Sequence, residues 1–233
     1  MRLDKYLAET AQCTRSAART LVQKGRVTVD GILCKRPDTQ LKEGAAVCLD
    51  GALLRYQPFV YLMVNKPAGV VSAREDARDT TVVDLVGDSY PRRQLFPAGR
   101  LDKTSTGFVL LTDDGAFAHE ILAPKRHVPK GYTVTLDTPL TEEMAAGFAA
   151  GVTLADGTAL APARVRPVSP DGLVVEVVLR QGVYHQIKRM FGVYGAGVNA
   201  LHRDSIGGLA LDPGLAPGQW RELTAEEVAQ ITG

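Results

Sequence analysis

The chain has 233 residues, 45% of them apolar, and a net charge of +1; this is enough for one large domain with a hydrophobic core and a smaller one. No apolar run approaches the ~18–20 residues that cross a bilayer, and the opening MRLDKYLAET is too charged for a secretion signal. Three cysteines without CxxC spacing argue against a disulfide framework and a zinc site, so we expect a protein of the reducing cytoplasm.

The first 50 residues predict two helices and a small hairpin. Leu3, Tyr6 and Leu7 have helical spacing, and a second helix is predicted between an N-cap at Thr14 and a stop at Gly25. The alternating RVTV then predicts a strand, the Asp-Gly pair at 30–31 a two-residue hairpin turn, and AAVCLDG one more strand.

This small segment is basic. Residues 1–57 hold ten Lys or Arg against six Asp or Glu, a net charge of +4, and the remaining residues hold seventeen against twenty, a net charge of −3. Arg15 and Arg19 are four residues apart and so share one helix face. Such a cluster is typical either of a solvated helix face or of a surface that contacts nucleic-acid phosphates.

The stretches RLDKYLA and TRSAARTLVQKGRVTVDG resemble the S4 domain, a small RNA-binding module. The resemblance places an S4 domain at residues 1–50, followed by a linker at 51–60. It implies that structured RNA is bound through its shape and its phosphates. The RNA contacts expected in this segment are Arg2, Lys5, Arg15, Arg19, Lys24, Arg26, Lys35 and Arg36.

Residues 61–233 predict a second domain that is rich in strands. The runs YLMVNK, FVLLT, GYTVTLD and GLVVEVVL predict strands, and YHQIKRMFGVYG predicts a helix. Asp113 or Asp114 could cap a helix after the second strand, and Thr224 with Glu227 forms a capping box for the last one. Because strands outnumber helices without regular alternation, we predict an α+β fold on a mixed, largely antiparallel sheet.

The absence of several known motifs excludes several enzyme classes, and a carboxylate remains as the candidate catalytic group. GxGxxG, P-loop, HExxH and GxSxG patterns do not occur, and the cysteines lie in or beside the basic segment. Asp102, in PAGRLDKTSTG, follows Arg100 and lies between Gly99 and Gly107. An Asp near a turn is commonly a cap or a solvated residue, whereas this setting also suits the rim of a cleft, and the residues alone leave both interpretations open.

The segment GRLDKTSTGFVLLTDDG resembles the signature of pseudouridine synthases of the RsuA and RluA group. YLMVNKPAGVVS, KGYTVTL, EVVLRQGVYHQIKRMF and LHRDSIGGLAL agree with it, and an S4 domain joined to this domain is the RsuA-type arrangement. The resemblance implies an enzyme without metal or cofactor that converts a uridine of 16S ribosomal RNA to pseudouridine. Because no coiled coil or extra module is visible in the sequence, we expect a monomer. A 23S-directed relative and a non-catalytic RNA-binding ribosome-assembly factor are the alternatives.

The resemblance also assigns the site. Asp102 would be the essential carboxylate, acting either as a nucleophile or as a base toward the 2′ hydrogen. Arg100 would fill the gap left by a flipped base, and Tyr132 of KGY would lie against that base. Lys188 would pair with Asp102 and keep it ionised, with Arg189 as the rival for that place.

Further expectations concern the surroundings of that site. Lys66, Arg189 and Arg203 are expected RNA contacts, while His185 and Gln186 are interpreted as structural or backbone-binding. The chain departs from the family pattern at three positions: Pro129, Gly131 and Val183. Outside the motifs, the sequence predicts a surface position for His119, a place near the RNA groove for His202, and packing under the last helix for Trp220.

Overall fold

The computed structural model describes residues 1–11, 13–123 and 128–233. It divides into two compact units. The N-terminal unit comprises Met1–Phe59 and Asp88–Arg93, and the large unit comprises Val60–Gly87 and Gln94–Gly233. Among the helices of the described residues, none is long and apolar enough to cross a membrane.

The N-terminal unit packs two helices on a four-stranded sheet. Its elements are α1 (Leu3–Thr10), α2 (Arg15–Gln23), β1 (Val27–Val29), β2 (Ile32–Leu33), β3 (Val47–Leu49) and β4 (Ala52–Leu54), with sheet order β2-β1-β3-β4. Thr14 caps α2 by accepting a hydrogen bond from the Ala17 amide at 3.0 Å. Asp30 and Gly31 have φ angles of 51° and 79°, as the predicted hairpin turn requires. The local predictions for this segment are therefore confirmed.

The predicted linker at 51–60 is wrong in its first half. Ala52–Leu54 pair with β3 in antiparallel register, and the Leu54 carbonyl accepts a hydrogen bond from the Tyr6 hydroxyl at 2.9 Å. The cause is a second Asp-Gly turn, in which Asp50 and Gly51 have φ angles of 50° and 85°. This turn continues the sheet beyond the predicted end of the domain.

The large unit is built on a nine-stranded sheet. Seven strands lie along its path in the order β13-β5-β7-β11-β8-β10-β9, with β12 on β11 and β6 on β7. The strands are β5 (Tyr61–Lys66), β6 (Phe96–Pro97), β7 (Thr106–Thr112), β8 (Lys130–Leu136), β9 (Arg164–Pro167), β10 (Val174–Leu179), β11 (Val198–Ile206), β12 (Leu209–Ala210) and β13 (Trp220–Glu222). In the described sheet β7 and β11 run parallel and the other pairs are antiparallel. The predicted α+β class is confirmed.

Four α-helices pack around this sheet. They are α3 (Gly115–Leu122), α4 (Glu142–Ala150), α5 (Gln186–Gly192) and α6 (Ala225–Thr232), and a kinked 3-10 segment spans Asp84–Ser89. Asp114 rather than Asp113 caps α3, since its carboxylate accepts from the Phe117 amide at 3.0 Å. The capping box of Thr224 and Glu227 is present as predicted, whereas α4 was not predicted.

The contact between β7 and β11 depends on Gly107. This residue has a φ of 102°, and a Cβ built on it would lie 2.4 Å from the Arg203 carbonyl oxygen. No side chain larger than hydrogen fits that distance, so the two central strands can approach only with glycine here. Gly107 thereby fixes where β7 begins, directly after the segment that carries Asp102.

Candidate active site

A cavity of about 1050 Å³ in the large unit brings the predicted catalytic residues together. Its lining includes Arg100, Asp102, Tyr132 and Lys188. Arg100 is exposed, Asp102 is partly exposed and Tyr132 is 8% exposed. The cleft interpretation of Asp102, rather than that of a solvated turn, agrees with this position.

The loop between β6 and β7 carries Asp102 and is held by its backbone. The Ser72 hydroxyl donates to the Leu101 carbonyl and accepts from the Leu101 amide, both at 3.0 Å. Leu101 is buried, 8% exposed, so the residues on either side of it, Arg100 and Asp102, face outward. The Asp102 carbonyl accepts from the Ser105 amide at 3.0 Å and closes the turn that follows.

Two buried cationic side chains donate hydrogen bonds to backbone carbonyls in and beside the loop that carries Asp102. Lys66 is 0% exposed, and its ammonium donates to the carbonyls of Ser105 at 2.6 Å and Pro67 at 2.9 Å, with a longer 3.4 Å contact to Lys103. Burial lowers the pKa of Lys66 to about 8, an effect that the nearby Asp102 opposes. The prediction that Lys66 contacts RNA is therefore wrong: the side chain is turned into the protein.

Arg203 is the second of these cations. It is 1% exposed, and its Nε donates to the Phe108 carbonyl at 2.6 Å while Nη1 lies 3.5 Å from the Arg100 carbonyl. Its Nη2 is buried without a hydrogen-bond partner among the residues that the structure describes. Arg203 also lines the cavity that contains Asp102, so its expected contact with RNA stays a prediction.

The carboxylate of Asp102 has two basic neighbours, one directly before α5 and one within it. His185 Nε2 lies 3.3 Å from Oδ1, and Lys188 Nζ lies 4.0 Å from Oδ2 and donates to the Thr104 hydroxyl at 3.2 Å. His185 precedes α5 and has a left-handed φ of 50°, and Lys188 follows three residues later on the same face. The ammonium of Lys188 therefore places a positive charge beside a carboxylate that is 28% exposed.

The structure shows two contacts at α5 that the sequence did not predict, those of Arg189 and His185. Arg189, the rival of Lys188, instead forms an ion pair with Asp156 on the other side of the helix. The contact of His185 with Asp102 was missed, because nothing in the sequence signals its left-handed backbone. Gln186 is buried and structural, as expected, with its side-chain oxygen accepting from the Val183 amide at 3.0 Å.

Tyr132 lies on β8 with Lys130, and both face the cavity. Lys130 is 8% exposed, its ammonium donates to the Val128 carbonyl at 2.9 Å, and burial lowers its pKa to about 8, helped by the charge of Arg203. Sequence reasoning did not select Lys130. The departure at position 131 has a steric reason, because a Cβ on Gly131 would lie 2.5 Å from the Ser205 hydroxyl on β11.

The remaining expected positions fall on the surface. His119 is exposed on α3 as predicted, and His202 is partly exposed, its Nδ1 2.8 Å from the Thr106 hydroxyl. Trp220 is partly buried on the edge strand β13. Among the described residues, no group of His, Cys, Asp and Glu could hold a metal ion.

The eight basic residues of the N-terminal unit that are expected to contact RNA are exposed or partly exposed, and six of them have acidic partners. Five arginines pair with carboxylates in the same unit: Arg2, Arg15 and Arg19 with Asp4, Arg26 with Asp50, and Arg36 with Asp38. Lys5 pairs with Glu9 at 3.8 Å, and Lys24 and Lys35 are exposed. The pairs of Arg26 with Asp50 and of Arg36 with Asp38 are exposed on both sides and therefore weak, so these two arginines stay available to an RNA phosphate.

Comparisons with known proteins agree with this arrangement. A family model described as RNA pseudouridylate synthase matches residues 60–192, and a model described as S4 domain matches residues 1–47. The RNA pseudouridine synthase YtzG of Bacillus subtilis is 43% identical over 98% of this chain and 97% of its own length. The ribosomal small subunit pseudouridine synthase A of Salmonella typhimurium is 41% identical over 99% of this chain and 100% of its own.

The likeness extends to Escherichia coli and to solved structures. The protein of the same name from Escherichia coli is 40% identical over 99% of this chain and 100% of its own. A crystal structure described as pseudouridylate synthase superposes with a TM-score of 0.70, at 35% identity, over 99% of both chains. Both units of the chain, and not the large unit alone, therefore have counterparts in these relatives.

Proposed function

The chain belongs to the RNA pseudouridylate synthase family and carries an S4 domain, and we propose that it isomerises one uridine of 16S ribosomal RNA. The general activity, the synthesis of pseudouridine in RNA, follows from membership of this family. The choice of 16S RNA is supported by the relatives named ribosomal small subunit pseudouridine synthase A, which match over nearly their whole length. We further propose that the protein acts as a cytoplasmic monomer, in keeping with its unpaired cysteine thiols.

The observation that carries the proposed chemistry is the position of Asp102. Its carboxylate is partly exposed in the cavity, with Lys188 and His185 within 4.0 Å and Tyr132 in the same lining. The reaction breaks the C1′–N1 bond of the uridine, turns the uracil and joins C1′ to C5, after which the C5 proton is lost and N1 gains one. Asp102 acts either as the nucleophile or as the base that removes the 2′ hydrogen.

The neighbouring residues serve this carboxylate and the base. Lys188 places a positive charge beside the Asp102 carboxylate, and the aromatic ring of Tyr132 packs against the uracil. The uridine must leave its stack to reach the cavity, at a cost of a few kcal/mol. Arg100, exposed beside Asp102, fills the vacated place with its planar guanidinium. The S4 domain binds the same RNA through its phosphates.

The test is nucleotide-resolution mapping of pseudouridine in small-subunit RNA. Purified protein is incubated with protein-free 16S RNA, with partly assembled small subunits and, in parallel, with 23S RNA, beside Asp102→Asn. We expect one modified position that is lost in the variant. A site in 23S RNA alone would move the target to the large subunit, and tight binding without modification of either RNA would favour a non-catalytic assembly factor.

A matched pair on α5 tests the role of Lys188. Lys188→Met removes the ammonium beside Asp102, and Arg189→Met removes an equal charge that pairs with Asp156 instead. We expect a fall in turnover of at least tenfold for Lys188→Met and a change in RNA affinity alone for Arg189→Met. Equal losses of turnover in both variants would contradict the assignment of Lys188.

A further inference from the structure

A buried carboxylate joins three arginines in the N-terminal unit. Asp4, in the first turn of α1, is 0% exposed. It accepts hydrogen bonds from Arg2 Nε and Nη2 at 3.1 and 3.0 Å, from Arg15 Nε and Nη2 at 3.1 Å each, and from Arg19 Nε at 3.1 Å. Arg2 precedes α1, whereas Arg15 and Arg19 both belong to α2, so two segments of the chain meet at one anion.

The three arginines keep much of their surface in solvent. Their side chains are 39%, 49% and 51% exposed for Arg2, Arg15 and Arg19. Each binds Asp4 through the edge that carries Nε, which leaves the edge with Nη1 turned from the carboxylate. Three positive charges around one negative charge leave the cluster with a net charge of +2. The cluster can therefore still bind an anion.

Asp4 stays charged in this position. The hydrogen bond from Arg15, with those from Arg19 and Arg2, outweighs the effect of burial and holds the pKa of Asp4 well below its usual range. The Asp4 carboxylate is therefore negatively charged at neutral pH and binds the three guanidinium groups there. Long arginine side chains lose rotamer freedom when they bind a ligand, and here much of that freedom is already lost before RNA arrives.

We propose that Asp4 is a positioning residue that holds Arg2, Arg15 and Arg19 as one preformed site for the phosphodiester backbone of RNA. The inference rests on the proposed function, in which the S4 domain binds ribosomal RNA. Guanidinium groups suit this ligand because their paired donors match the oxygens of a phosphate. The exposed start of α2, where Arg15 and Ser16 follow the Thr14 cap, adds a partial positive charge on the same side.

The proposal predicts that removing the charge of Asp4 changes RNA affinity in the direction opposite to that expected from net charge alone. Removing an acid from a basic surface strengthens RNA binding if only charge counts. If Asp4 positions the arginines, Asp4→Asn instead weakens binding, by about tenfold. The matched control is Asp50→Asn, which removes the same charge from the exposed pair with Arg26 at a left-handed turn position that asparagine tolerates. We expect the control to bind equally or more tightly.

The experiment measures the affinity of the full chain for protein-free small-subunit ribosomal RNA at two salt concentrations. Thermal unfolding shows which variants are folded at the assay temperature. Weaker binding by a folded Asp4→Asn, with Asp50→Asn binding at least as tightly as the wild type, supports the proposal. Equal or tighter binding by Asp4→Asn overturns it. If Asp4→Asn does not fold, the double variant Arg15→Lys with Arg19→Lys takes its place, since it keeps both charges but removes the planar fork. Weaker binding by this folded variant supports the proposal, and unchanged binding overturns it. A wild type that binds no RNA would refute the proposed function itself.

Discussion

Replacing Lys130 with methionine should stabilise the protein at neutral pH. Lys130 is 8% exposed, and burial lowers its pKa from 10.5 to about 8. At 1.36 kcal/mol per pKa unit, keeping this ammonium charged at pH 7 costs about 3 kcal/mol. Methionine has a similar volume but leaves the Val128 carbonyl without its donor, which costs about 1 kcal/mol. Lys130→Met should therefore raise the free energy of unfolding by about 2 kcal/mol.

The gain should disappear as the pH rises. Between pH 8 and 10.5 the unfolded chain still holds the Lys130 proton, whereas the folded protein has released it. The unfolded state binds more protons in this window, so the stability of the wild type rises with pH through it. The variant lacks this rise. Lys66, whose pKa is also lowered to about 8, is present in both proteins and cancels in the difference.

Urea unfolding of both proteins from pH 7 to 10.5 measures the effect. The stability difference should fall from about 2 kcal/mol in favour of the variant to about −1 kcal/mol, when a neutral Lys130 still donates to Val128. Pseudouridine formation should fall, because Lys130 lines the cavity with Asp102. Lys103→Met, at an exposed ion pair, is the control and should change stability by less than about 1 kcal/mol. A difference that is constant with pH would refute the reasoning.

Two further substitutions test the surroundings of Asp102. Ser72→Ala removes both hydrogen bonds to the Leu101 backbone, so single-turnover kinetics should show slower chemistry with RNA affinity unchanged. Gly107→Ala places a Cβ 2.4 Å from the Arg203 carbonyl oxygen at a φ of 102°, so circular dichroism and expression should show loss of the folded large unit.

These two predictions have their own controls. Gly115→Ala, at the start of α3 where a Cβ meets no atom within 4 Å, should fold as well as the wild type. A folded Gly107→Ala with an unchanged melting temperature would mean that β7 and β11 can separate without cost. For Ser72→Ala, a loss of RNA affinity with normal single-turnover chemistry would show that the serine does not act through the Asp102 loop.

Local signals in the sequence predicted local structure well. The Asp-Gly turn at 30–31, the Thr14 cap and the capping box at Thr224 each depend on residues within a few positions of one another. Strands β11 and β13 were missed because β7, β8 and β5, with which they pair, lie far away in the chain. Strand β9 pairs with the neighbouring β10 and was missed because its sequence, RVRP, is charged, ends in proline and is mostly exposed. β11, with the sequence VNALHRDSI, contains charged residues that hide its central place in the sheet.

The catalytic residues were predicted through a resemblance. The buried cations that hold the Asp102 loop were not predicted in that role. The motifs selected Asp102, Tyr132 and Lys188, which the structure brings into one cavity. Lys66 and Arg203 were expected at the RNA because they are cationic and lie in motifs. A sequence does not show whether a lysine or arginine faces solvent or backbone carbonyls, and both of these residues are buried.

The order of strands in the large unit has a consequence for synthesis on the ribosome. Its central strand β11 arrives only at residues 198–206, and β13, which pairs with β5, arrives at 220–222. The sheet therefore stays incomplete until the last strands have left the exit tunnel, and its long-range pairings make folding slow. The N-terminal unit contains no residue beyond Arg93. A nascent chain therefore holds a complete RNA-binding domain while its catalytic domain is still unfinished.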